Sequence, residues 1–341
     1  MKIAKSLVLG SSLTDENMVF LKQLGVNNIS VSFTEMQHLR SIGKHAFSSL
    51  TYGPNYEIED LVALKSWVES NGLELCGINS MLIPRWEKIM LGQTGRDEQI
   101  ENWNKSISNT GKAGIPVVTY GWEISAGAQM PMWRTSAENI GRGGTQIVRF
   151  DYEIARKIPA TNYGEISEKT LWDSLTYFLK AAIPVAEEAG VKIAMHPPDP
   201  QVSSLAGIAR IVRSIEDYDK VFKIMPSQMN CMVFCLGCFG QMMEAEHVYK
   251  AIGHFGKEGR IGYVHFRGVR GTVQKFDEVF PDEGKLDMLK AIKLLKETGF
   301  DGIIQNDHAP HITGDSEWGH KSLAFQIGYL KGILQSAKAT E

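Results

Sequence analysis

Four side chains of metal-ligating type stand at the ends of short apolar runs in the second half of the chain. His196 closes Val191–His196 and leads into Pro197-Pro198-Asp199-Pro200. Cys235 closes Met232–Cys235, just before Leu236-Gly237. His265 sits in Tyr263-Val264-His265-Phe266-Arg267, and Asp307 closes Gly302–Asp307 with His308 directly after it. Two imidazoles, one thiol and one carboxylate suit a divalent transition metal, and their mixed softness leaves Zn, Fe, Co and Mn all open. Each residue also has a plain structural reading. A histidine before proline can be structural, and a cysteine is commonly a small buried hydrophobe. His265 can fill an interior layer, and Asp307 can cap a helix. Those readings do not predict four donors at successive strand ends.

The elements that must position them follow from periodicity. Short β-rich runs are expected as strands at Ile3–Leu9, Asn28–Phe33, Leu73–Ile78, Ile115–Tyr120, Val191–His196, Met232–Cys235, Ile261–Phe266 and Gly302–Asp307. Helical spacing is expected at Glu16–Leu24, Ile58–Ser70, Asp97–Gly111, Glu165–Ala189, Ser204–Ile215, Ala245–Phe255, Lys285–Thr298 and Lys321–Ser336. Gly25, Gly72, Gly114, Gly190 and Gly299 suit helix C-terminal caps. Such alternation predicts a (β/α)8 TIM barrel over residues 1–341 as a single domain. A doubly wound open sheet is the alternative, but no G-x-G-x-x-G follows the first strand and no P-loop is present. The Cys/Met-rich sixth run also reads as a buried helix segment. The stretch from about 121 to 163 exceeds an ordinary βα loop. On a barrel it follows strand four at the catalytic face, as a lid or as a subunit contact.

Composition bounds the partners. The 341 residues are 43% hydrophobic and 22% charged, with a formal net charge of −3. This near-neutral balance argues against nucleic acid and anionic membrane as partners. No apolar run reaches the length of a membrane span, and the first ten residues do not form a signal-peptide core. The expected address is the cytoplasm. The cysteines Cys76, Cys231, Cys235 and Cys238 do not form a secreted disulfide framework.

From about Leu73 onward the sequence resembles the D-mannonate dehydratases of the xylose-isomerase-like superfamily. The resemblance rests on Asn102-Trp103-Asn104-Lys105-Ser106 to Gly111-Lys112-Ala113-Gly114-Ile115, on Trp133-Arg134-Thr135, and on Ile183-Pro184-Val185-Ala186-Glu187-Glu188-Ala189-Gly190-Val191-Lys192 to His196-Pro197. It also rests on Phe234-Cys235-Leu236-Gly237-Cys238-Phe239-Gly240, Val264-His265-Phe266-Arg267, Asp307-His308 and Ile327-Gly328-Tyr329-Leu330-Lys331-Gly332. It implies a metal site of His196, Cys235, His265 and Asp307, usually with Mn2+. Of the clustered cysteines, only Cys235 fits the motif. The implied reaction removes water from D-mannonate to give 2-keto-3-deoxy-D-gluconate, in hexuronate breakdown. His308 matches the family's acid–base histidine. Arg267 and Arg134 are candidates for the substrate carboxylate, because a guanidinium pairs with it through two hydrogen bonds. Asp199 and Trp133 complete the expected substrate site, and Arg267 has a structural ion pair as its other reading.

The sequence departs from the family pattern at several places. Pro198 replaces the first of two aspartates, and Asp199 keeps the second. Gly121-Trp122-Glu123-Ile124 and Ala309-Pro310-His311 replace family residues. The family's catalytic tyrosine is missing near Gly319-His320, which leaves His320 or Tyr329 to take its place. The alternatives to a sugar-acid dehydratase are an isomerase or epimerase of the same superfamily and a catalytically silent sugar-acid binder. The cysteine donor argues against the isomerase. Barrels of this type often form homodimers.

Overall fold

The computed structural model describes residues 1–33, 48–51, 53–79, 86–124 and 134–338. Eight parallel strands close into a barrel. In chain order they are Lys2–Leu9, Asn28–Phe33, Glu74–Asn79, Val117–Gly121, Lys192–His196, Asn230–Cys235, Ile261–Phe266 and Ile303–Asn306. Closure joins the two ends of the chain, with Lys2 opposite Ile303 and Lys5 opposite Asn306. The expected barrel and all eight strands are therefore present, shifted by a few residues at most. The Cys/Met-rich run is strand, and a separate short helix, Leu236–Met242, follows it.

Several strands are buried along their whole length, as expected where helices cover one face and side chains fill the other. Ala4, Cys76, Val117, Ala194, Cys231, Val233, Tyr263 and Ile303 form an interior cluster of mostly small residues. The larger apolar residues pack between barrel and helices, for example Leu175, Phe178, Leu179 and Ile183 of the helix Glu168–Ala189. Ser167 starts that helix by accepting a hydrogen bond from the Thr170 N–H, and Gly190 ends it at φ 66. The other four expected glycine caps also lie at positive φ.

The helix expected over Ser204–Ile215 is not there. Ser204–Leu205 and Ile208–Ala209 instead form a small antiparallel pair, and the helix runs over Ile215–Ile224, capped by Ser214. Ala206 and Val212 adopt φ 49 and 62, which interrupts any right-handed helix. The helix-like apolar spacing reflects burial of an irregular segment: Leu205, Ile208, Ile211 and Val212 are all buried.

The long stretch after strand four contributes Ser136–Ile140 and Gln146–Asp151 to a second sheet. That sheet is completed by the hairpin Gly268–Thr272 and Lys275–Val279, which follows strand seven. Phe276 pairs with Phe150 across the two segments. Phe150, Phe276, Val269, Val202 and Leu205 give this sheet its own small core. Residues 125–133, with Met130 and the expected substrate residue Trp133, lie outside the described residues.

Inside the barrel, strands one to four carry neutral polar side chains. Ser6 and Ser32 share a hydrogen bond of 3.0 Å, Asn79 donates to Ser6 Oγ at 2.8 Å, and Thr119 donates to Asn79.

Candidate active site

His196, Cys235, His265 and Asp307 converge at the carboxyl ends of strands five to eight, where barrel enzymes hold their chemistry. The Cys235 and His265 positions are paired in register, and the His196 and His265 ring centroids are 5.0 Å apart. The donor atoms of Cys235, His265 and Asp307 lie within 4.8 Å of one another, and so do those of His196, Cys235 and Cys238. The Asp307 N–H donates to the Phe266 carbonyl at 3.2 Å, which fixes the carboxylate beside strand seven.

The imidazoles are oriented from behind. Because a carbonyl can only accept, His196 Nδ1–H donates to Pro197 O at 2.6 Å, and this leaves the Nε2 lone pair for a metal. Gln305 Oε1 receives the hydroxyls of Ser30 (3.0 Å) and Tyr263 (2.7 Å), which turns its amide nitrogen toward His265 Nε2 at 3.4 Å. His265 Nδ1 is buried, makes no hydrogen bond and stands 3.7 Å from Asp307 Oδ2. This buried nitrogen beside a thiol and a carboxylate offers a divalent ion its lone pair once Nε2 carries the ring proton, which requires the Gln305 amide to turn its oxygen toward Nε2. Burial pushes the Cys235 thiol up, but the Cys238 thiol, Arg267 and the two histidines outweigh it and hold Cys235 well below the usual thiol range. A ready thiolate is the form that binds metal.

Beside these donors lies a buried ionic cluster. Arg134 Nη2 reaches Asp199 Oδ2 at 2.8 Å and Glu278 Oε1 at 2.5 Å. Arg267, the largest fully buried side chain among the described residues, donates to Asp199 Oδ2 at 3.0 Å, pairs with Glu278, and stands 3.5 Å from Asp307. Burial raises the Asp199 and Glu278 carboxyls, yet the neighbouring cations overcome it and both lie below the ordinary carboxylate range. His308 Nδ1 is 3.0 Å from Glu278 Oε1, and its Nε2 is 3.3 Å from Asp307 Oδ1. Burial lowers the His308 imidazole, but Asp307 and Glu278 raise it further than that.

The structure thus gathers the four expected metal donors, His308, Arg134, Arg267 and Asp199. It changes the reading of the arginines, whose donors engage protein carboxylates, as the ion-pair alternative for Arg267 anticipated. His320 and Tyr329 are not brought in. His320 hydrogen-bonds Ser316 and Asn17 (3.1 Å) and packs on Phe20 and Trp318. Tyr329, lower on the last helix, packs against Phe266 and Phe325. For Tyr329 the physical reason is helix direction, since it lies more than two turns along His320–Lys338; His320, the first residue of that helix, turns instead to Asn17 and Phe20. Sequence reasoning missed Glu278, Gln305 and the second thiol, Cys238. Glu278 stands beside a second carboxylate, Asp277, in the charged segment Lys275–Val279, so no local signal singled it out.

A family model for D-mannonate dehydratase matches residues 18–160 and 153–341. The chain belongs to the D-mannonate dehydratase family. The mannonate dehydratase of Streptococcus pneumoniae is 30% identical over 311 residues, covering 83% of this chain and 84% of that protein. The one from Thermotoga maritima is 30% identical over 324 residues, covering 85% and 89%. The crystal structure of mannonate dehydratase from Streptococcus suis serotype 2 superposes with a TM-score of 0.82 at 26% identity, over 100% of this chain and 95% of that one. A D-psicose 3-epimerase from Clostridium cellulolyticum shares the barrel at TM-score 0.62 but is only 11% identical over 98% of this chain and 99% of that one. Membership of the D-mannonate dehydratase family makes the chain a hydro-lyase and favours dehydration over the isomerase and silent-binder alternatives. Among the described residues no helix is long and apolar enough to cross a membrane.

Proposed function

We propose that the chain removes water from D-mannonate or a closely related aldonate, giving 2-keto-3-deoxy-D-gluconate, with a divalent metal held by His196, Cys235, His265 and Asp307. The observation that carries this reading is the convergence of those donors beside His308, which is itself held between Asp307 and Glu278. When bound, the ion supplies Lewis acidity toward substrate oxygens, which makes a proton alpha to a carboxylate easier to remove. Mn2+ is the first ion to try, and Fe2+, Co2+ and Zn2+ suit the same donors.

The residues divide the remaining work. His308 moves the proton: the C2–H bond breaks, the C3 hydroxyl leaves as water, and the resulting enol becomes the 2-keto product. Glu278 orients His308 and favours its charged form. Arg134 and Arg267 position Glu278 and Asp199, and Gln305 orients His265. The single barrel domain carries the site, and the strands Ser136–Ile140 and Gln146–Asp151 with the hairpin after strand seven stand beside it. The long segment after strand four is where a homodimer contact belongs. The substrate is a small sugar acid, met in the cytoplasm. The deciding experiment is turnover with D-mannonate after chelation and re-addition of Mn2+. Metal-dependent release of the 2-keto-3-deoxy acid supports the reading. Bound metal without product from any aldonate would refute it.

A further inference from the structure

Three of the four cysteines are clustered in sequence, but only two of them face the site. Cys76 and Cys231 each donate to a backbone carbonyl at 3.1 Å, from within the interior cluster. Cys238 does not. It is fully buried, and its donor atom lies within 4.8 Å of those of His196 and Cys235. The Cys238 N–H lies 3.4 Å from Cys235 Sγ, so backbone and side chain of this residue both lean on the proposed metal ligand. Arg267 Nη2 stands 3.2 Å from Cys238 Sγ and 3.6 Å from Cys235 Sγ. One guanidinium therefore faces both sulfurs.

We propose that Cys238 is a further metal donor, so that the ion bound at His196 and Cys235 has two sulfur neighbours and is a thiophilic one such as zinc. This rests on the proposed metal site and names the class of ion it takes. Donors around one zinc ion sit about 2.0–2.3 Å from it, so groups already within 4.8 Å of one another close on it by side-chain rotation. Two thiolates favour zinc over manganese, because soft sulfur suits the former and oxygen donors the latter. The thiol proton of Cys238 passes to solvent as the ion enters, so loading releases a proton.

X-ray absorption on the zinc-loaded full chain tests this directly. The expected result is two sulfur neighbours at about 2.3 Å in the unaltered protein and one in Cys238→Ser. The sulfur-to-cobalt charge-transfer band of the Co2+-loaded protein falls to about half in the same variant, and its zinc affinity drops by at least about tenfold, with that for manganese unchanged. One sulfur neighbour in the unaltered protein, or an identical band in both proteins, overturns the inference and leaves the four-donor site standing. A chain that binds no ion at all overturns the metal site itself. Circular dichroism of Cys238→Ser separates loss of a ligand from loss of the fold.

Discussion

Replacing Glu278 by glutamine tests whether the ionic cluster acts through charge. The substitution keeps shape and one acceptor oxygen. It removes the negative charge that Arg134, Arg267 and His308 now share. Removing one partner of a buried ion pair costs about 3–5 kcal/mol, and the retained acceptor puts this variant near about 3 kcal/mol. An unfolding entropy of about 2.1 cal/mol/K per residue gives about 0.7 kcal/mol/K for 341 residues, so Tm falls by about 4 °C at pH 7. The cations hold Glu278 below its ordinary value of 4.5. Its charge-dependent stabilisation is therefore complete above that pH and is lost as pH falls toward the folded-state value. Below pH 4.5 the unaltered protein should lose about 1.4 kcal/mol per pH unit more than the variant, or about 2 °C. Thermal unfolding of both proteins from pH 7 to pH 3.5 reads this out. A Tm gap that stays constant or widens in acid would show that the carboxylate acts through packing alone.

His308→Gln should keep full metal content by elemental analysis and lose at least about 100-fold in kcat, the usual worth of a positioned proton carrier. Cys235→Ala should lose the metal, and a variant with full metal and activity would dismiss the site. His320→Gln and Tyr329→Phe should leave kcat within about twofold, because neither ring touches the cluster; a larger loss in steady-state assays would contradict their placement. Gly237→Ala should destabilise the protein by about 1–3 kcal/mol, measured by denaturant unfolding. A Cβ there collides with the Arg267 guanidinium, which the carboxylates around it hold in place.

The barrel was legible because parallel strands buried on both faces leave continuous apolar runs with chemistry at their ends. His196, Cys235, His265 and Asp307 each interrupt such a run at its last turn outward, and that pattern needs no knowledge of three-dimensional contacts. The helix expected over Ser204–Ile215 failed because apolar spacing reports burial, and Leu205 under the second sheet and Ile208, Ile211 and Val212 in the main core are buried without a helix. Glu278 was invisible for a different reason. It reaches the site through strand pairing between segments more than a hundred residues apart, Gln146–Asp151 with Lys275–Val279, and nothing local announces such a partner. The arginines were identified by type but not by role. A guanidinium in the sequence does not reveal which carboxylates its donors will meet, and here Asp199 and Glu278 meet them first.

All four expected metal donors stand on or directly after strands five to eight, while strands one to four offer Ser6, Ser32, Asn79 and Thr119. The barrel is chemically two hemispheres, one reactive and one mainly neutral, with Lys5 of strand one reaching Asn306 at their seam. A mutant library confined to the neutral hemisphere would vary what the cavity accepts while the reactive one stays constant. Directed evolution toward other sugar acids therefore has a natural boundary in this chain, drawn between Gly121 and Lys192.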